Sequence, residues 1–170
     1  MAVEKTTLAK GSRLHAFFDD GDFLDCYSVR IGRPDVPIAE VAQRLFIGLP
    51  RWVNALLAAR DIGVTLFGLK TTANLPTNLN FRTSIEVGDH INFLCVRSIS
   101  SNEIILGEDD SHLDFKISVC RDNEMPDQIS LATWVRAHNC FGKIYLGTIT
   151  PFHVRIVNSR LKSLARHFAQ

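Results

Sequence analysis

Two side chains, His153 and Tyr145, have the type and spacing to do chemistry inside a fold. Leu146, Ile149, His153, Val157, Leu161, Leu164 and Phe168 recur at helical spacing, so His153 falls on the inward, apolar stripe of a helix. An imidazole there could serve as a general base within a cavity. Tyr145 lies two turns earlier on the same side and could donate a hydrogen bond to a ligand carbonyl or an oxyanion. Each residue also has a plainer reading. A lone inward histidine is better explained as a core group bonded to a carbonyl freed by Pro151. A tyrosine is used chiefly for the area it buries.

A second, polar constellation comes from two alternating stretches. In residues 112–121, Leu113, Phe115, Ile117 and Val119 point one way, and His112, Asp114, Lys116 and Ser118 the other. In residues 128–138, Ile129, Leu131, Thr133, Val135 and Ala137 share a face opposite Ser130, Ala132, Trp134, Arg136 and His138. Paired as a hairpin, they bring Asp114 opposite Arg136 and His112 opposite His138. Those types suit acid–base work or anion binding, but alternation puts them on the outer face, where surface ion pairing is the simpler role. Trp134 and Arg136 are types enriched at interface hot spots, so that face could also join two copies of the chain. His112, His138 and Asp114 could ligate a metal, but their spacing has no specificity, and no metal is expected. Lys70 is read as a solvated lysine.

Positioning these groups requires a particular order of elements. Residues 1–12 read as a mobile tail and 13–170 as one domain. A short helix over 13–19 precedes a first strand from Asp22 to Ile31. A helix from Pro37 or Ile38 to Phe46 ends before Gly48 and Pro50, and a second, almost wholly apolar helix covers about 51–67. Residues 69–90 are read either as a long loop, a possible lid, or as a loop holding a strand near Phe81–Val87. Strands follow at 91–99, 103–108, 112–121 and 128–138. Asn139 then caps a helix from Cys140 to Phe168, with Arg155, Ser159, Lys162 and Arg166 on its hydrated side. The predicted class is α+β. Its antiparallel sheet wraps a long C-terminal helix in the helix-grip manner, with two shorter helices after the first strand.

Composition sets the outer limits. A chain of 170 residues, 46% hydrophobic and 22% charged, is long and apolar enough for one packed core. A formal charge of +1 gives no general attraction to nucleic acid or to an anionic membrane. Acidic residues cluster at Glu103, Glu108, Asp109, Asp110 and Asp114, and after Asp127 only basic ones follow, from Arg136 to Arg166. Both groups are read as solvated faces. Cys26, Cys95, Cys120 and Cys140 have no paired spacing, and no signal peptide or membrane span is visible, so reduced thiols in a cytoplasmic protein are expected.

The runs Leu113-Asp114-Phe115, Thr133-Trp134-Val135-Arg136-Ala137-His138-Asn139, Gly142-Lys143-Ile144-Tyr145 and Pro151-Phe152-His153 resemble an uncharacterised bacterial domain family, and Pro50-Arg51-Trp52-Val53 and Gly68-Leu69-Lys70-Thr71 fit it too. Its members occur alone or behind a short-chain dehydrogenase-like domain, and the family resembles the START-like superfamily of polyketide cyclases and the birch-pollen allergen. The resemblance spans most of residues 13–168, apart from 72–90. It implies a helix-grip fold with a cavity for an apolar or aromatic small molecule, and it supplies no reaction and no catalytic residue. The chain has no glycine-rich dinucleotide fingerprint, so no cofactor is expected. The expected cavity walls are Phe115, Ile117, Leu131, Val135, Tyr145, Ile149, Phe152 and His153. A cyclase-, hydratase- or isomerase-type enzyme using His153 and Tyr145, and a homodimeric interaction module using Trp134, are the rival expectations.

Overall fold

The computed structural model describes residues 2–49, 80–109 and 113–169. Seven antiparallel strands form the sheet: β1 (Glu4–Lys5), β2 (Phe23–Arg30), β3 (His90–Ile91), β4 (Leu94–Ile99), β5 (Glu103–Asp109), β6 (Leu113–Arg121) and β7 (Gln128–Ala137). Their spatial order is β1-β2-β7-β6-β5-β4-β3. A meander thus runs from β3 to β7, and the N-terminal strand β2 closes against β7. Helix α1 (Ile38–Phe46) and helix α2 (Cys140–Phe168) pack on one side of the sheet and against each other. The predicted second short helix at 51–67 and Lys70 lie outside the described residues.

The alternation in β6 and β7 sets the register. Phe115 pairs with Val135, Ile117 with Thr133 and Val119 with Leu131, each an inward pair. The same rows continue into β2, where Val135 meets Phe23, Thr133 meets Asp25 and Leu131 meets Tyr27. Asp114 stands opposite Arg136 as the hairpin reading required, while His112 lies outside the described residues. Gly107 is fixed by contact: a Cβ there would collide with the Phe115 carbonyl oxygen. Residues 80–89 contain no strand, so of the two readings of that stretch the strand near Phe81–Val87 is not found.

Helix α1 buries Ile38, Val41, Ala42 and Leu45, the i, i+3, i+4, i+7 stripe of an amphipathic helix. In α2 the Asn139 side chain accepts a hydrogen bond from the Gly142 amide at 2.8 Å, capping the helix as expected. At 1.5 Å per residue the 29-residue helix is about 43 Å long. Its last four turns bury Val157, Leu161, Leu164 and Ala165 in the core. Arg160, expected on a solvated face, is instead buried. Its Nε donates to Leu45 O and its Nη2 to Arg44 O, both at 2.7 Å, so it caps the free carbonyls at the end of α1. A cation at a helix C-terminus also meets the negative end of the helix dipole.

The N-terminal segment is not a tail. β1 pairs with β2, and the chain then crosses the outer face of the sheet. Leu14, fully buried in a 3-10 turn over Arg13–Ala16, packs with Cys26, Ala132 and Trp134. Beyond them Ser12 Oγ donates to Glu103 Oε1 at 2.5 Å, and the Arg13 amide donates to Glu103 Oε2 at 2.8 Å. Glu103 was expected in a solvated acidic cluster. It is 5% exposed and serves as the anchor of this strap, with Ser118 Oγ donating to it at 2.6 Å.

Candidate functional site

A cavity of about 240 Å³ lies between the inward face of the sheet and the first half of α2. Its sheet wall is built by the rows described above and includes Phe115, Ile117, Leu131 and Val135. Its helix wall includes Tyr145, Ile149 and His153. Phe23, Phe46 and Phe93 complete the lining from β2, α1 and the turn before β4. The lining is therefore mostly aliphatic and aromatic, with Thr133, Thr150, Tyr145, His153 and Arg160 as polar points.

Phe152 does not line the cavity and is 48% exposed. At 3.6 residues per turn, the lining positions 145 to 160 span an arc of roughly 140°, and residue 152 falls just outside it. The expectation that Phe152 forms part of the cavity wall is thereby corrected.

His153 has a specific environment. Its Nε2 is buried and has no hydrogen-bond partner, so the expected bond to a freed carbonyl is not made at that atom. The ring meets Phe23 edge-on, with centroids 6.2 Å apart. Burial pushes its pKa below the ordinary imidazole value, and the Asp25 charge opposes this in part. Burial thus favours the neutral ring.

Asp25 was not among the expected residues, though its signal was present. It interrupts the apolar face of β2 formed by Phe23, Tyr27 and Val29, and it is 6% exposed. Lys5 Nζ approaches its Oδ1 to 3.5 Å, but that oxygen makes no hydrogen bond. The inward row Asp25–Thr133–Ile117 thus carries a carboxylate and a hydroxyl beside the helix that bears His153. His153 Nε2, by contrast, has neither a hydrogen bond nor an ion pair, which is unusual because buried polar groups are nearly always bonded.

The outer-face residues come together differently from their expected pairing. Arg136 does not turn to Asp114 across the strand pair. Its Nη2 lies 2.7 Å from Asp22 Oδ2 and 2.5 Å from Asp19 Oδ2. Asp114 lies 3.1 Å from His138 Nε2 instead. Trp134 is 2% exposed, covered by Phe17 at 5.9 Å between centroids, with its Nε1 donating to Asp22 Oδ2 at 2.9 Å. Trp134 is therefore an internal anchor for the strap, which corrects the expectation of an exposed interface residue. A second depression, about 470 Å³, lies beneath the strap and is bounded by polar residues such as Thr7, Ser100 and Asn102. Among the described residues no helix is long and apolar enough to cross a membrane.

Fold and site together define an α+β domain with an apolar cavity between an antiparallel sheet and a long C-terminal helix. The chain belongs to the family described as protein of unknown function, DUF2867, whose model matches residues 17–160. No curated protein and no solved structure matches the chain.

Proposed function

We propose that this chain binds a small apolar or aromatic molecule in the cavity between sheet and α2. The observation that carries the reading is the continuous apolar lining contributed by β2, β6, β7, α1 and α2 around about 240 Å³. An engineered apolar cavity of about 150 Å³ holds benzene, and drug-sized pockets begin near 300 Å³. The volume therefore suits a one- or two-ring compound or a short acyl chain. Thr133, Tyr145 and Thr150 supply the few polar points that orient such a ligand. The helix-grip arrangement of START-like proteins, which the sequence resembles, supports the same reading by analogy of fold alone.

A reaction of cyclase, hydratase or isomerase type would need the His153 nitrogen to reach a bound molecule. Its Nε2 is buried within the wall and presents almost no surface, which favours binding over catalysis by that atom.

The test is a thermal-shift screen of aromatic and short-acyl compounds on the full chain and on Val135→Trp. Binders should raise Tm in the natural chain, and the indole should occupy the cavity and abolish the shift. A set of compounds that shifts neither protein, or both equally, would remove the proposal.

A further inference from the structure

We propose that His90, Cys95 and Glu108 form a binding site for a divalent transition metal of the zinc class. Each offers one ligand atom, and the three atoms lie within 4.8 Å of one another. The residues come from three successive strands. His90 and Cys95 are direct partners across β3 and β4, and Glu108 comes from β5. All three side chains are half-buried, so an ion can enter and still leave most of its water behind.

The donor set selects the metal. A thiolate with an imidazole disfavours calcium and magnesium, which take oxygen ligands, and suits zinc or its borderline neighbours. Metal–ligand bonds of about 2.0 to 2.3 Å place tetrahedral ligands roughly 3.5 Å apart. From the 4.8 Å limit the set therefore closes by up to about 1.3 Å, within reach of side-chain rotation. Three protein ligands leave a fourth position for water, the arrangement of open rather than closed sites. A supporting contact is present as well: Arg97 Nη2 donates to Glu108 Oε2 at 3.1 Å, while Arg97 Nε donates to Gly107 O at 3.0 Å. That guanidinium fixes the carboxylate through one oxygen and leaves Oε1 to coordinate. This inference is independent of the cavity.

The experiment titrates chelator-treated, reduced full chain with Co²⁺ as a spectroscopic probe. One equivalent should produce thiolate-to-cobalt charge-transfer absorption and the intense visible bands of four-coordinate cobalt, both displaced by Zn²⁺. Cys95→Ser should abolish the charge-transfer band. His90→Gln and Glu108→Gln should each weaken zinc binding by about 100-fold or more in competition with a chromophoric chelator, since losing a ligand costs at least what losing an outer-shell partner does. The three substitutions lie on three strands, and far-ultraviolet circular dichroism reports whether each variant folds. A natural chain without the charge-transfer band overturns the site. So does a band that survives Cys95→Ser and disappears in Cys140→Ser, which would assign it to the exposed thiol of Cys140.

Discussion

Arg136 reaches from β7 to Asp22, with its Nε 3.1 Å from Oδ1 and its Nη2 2.7 Å from Oδ2 of that carboxylate. The bidentate contact, joined by the Trp134 indole, ties the loop before β2 to the outer face of the sheet. The Arg136 hydrogen bond, against some desolvation, holds the Asp22 carboxyl at about 2, below its ordinary 3.8. A depressed folded pKa stabilises above the unfolded pKa, and that stability is lost as pH falls through the folded value. The Asp22 contribution should therefore be intact at pH 5 and decline between about pH 4 and pH 2. Asp22→Asn should lower Tm by roughly 3 °C at pH 7 and show a shallower acid decline in the same window. Parallel acid profiles for the two proteins, followed by differential scanning calorimetry, would count against the contact.

The strap makes a second prediction. Glu103 accepts from Ser12, Ser118 and the Arg13 amide in a buried position. Glu103→Ala leaves those donors without their partner, at a cost of about 2 to 3 kcal/mol. The effect should be local as well as global, because the segment over Trp134 loses its far anchor. Limited proteolysis is expected to cut faster between residues 6 and 20 in the variant, at a temperature where the sheet stays folded. Equal cleavage rates would show that apolar contacts around Leu14 hold the strap alone.

The parts of this fold that could be read in advance are those with a strong local period. The ends of α2 follow from Asn139 and the helical recurrence that runs to Phe168, and β6 and β7 follow from strict alternation. Cavity walls on those elements, such as Phe115 and Tyr145, came with them. The strap was not legible, because Leu8, Leu14 and Phe17 are too sparse to mark a periodic face. Their value appears only once Trp134 is seen opposite them. Arg160 and Glu103 were misread because a charge pattern does not reveal which member is enclosed by backbone carbonyls or hydroxyls. The metal-type cluster is likewise a product of strand order, since His90, Cys95 and Glu108 have no motif spacing.

His153 supports the last prediction, and it concerns stability. Its Nε2 is buried without a partner, a state that costs on the order of 1 to 3 kcal/mol relative to a satisfied group. Leucine at that position offers an apolar side chain to a wall that already holds Ile149, Ile156 and Val157. His153→Leu should therefore stabilise the domain at pH 7 by about 1 kcal/mol, read from the urea midpoint at unchanged m. The pH dependence distinguishes this cause from better packing alone. Burial lowers the folded pKa of His153, so the unfolded chain takes up a proton first as pH falls below about 6.5. The natural chain then loses stability progressively, until the folded value is reached, and the leucine variant does not share that loss. The gap between the two proteins should widen from pH 7.5 to pH 5.5. A constant gap would mean that His153 titrates alike in both states, and a destabilised variant would mean that the imidazole makes an interaction worth more than the burial of its orphaned nitrogen costs.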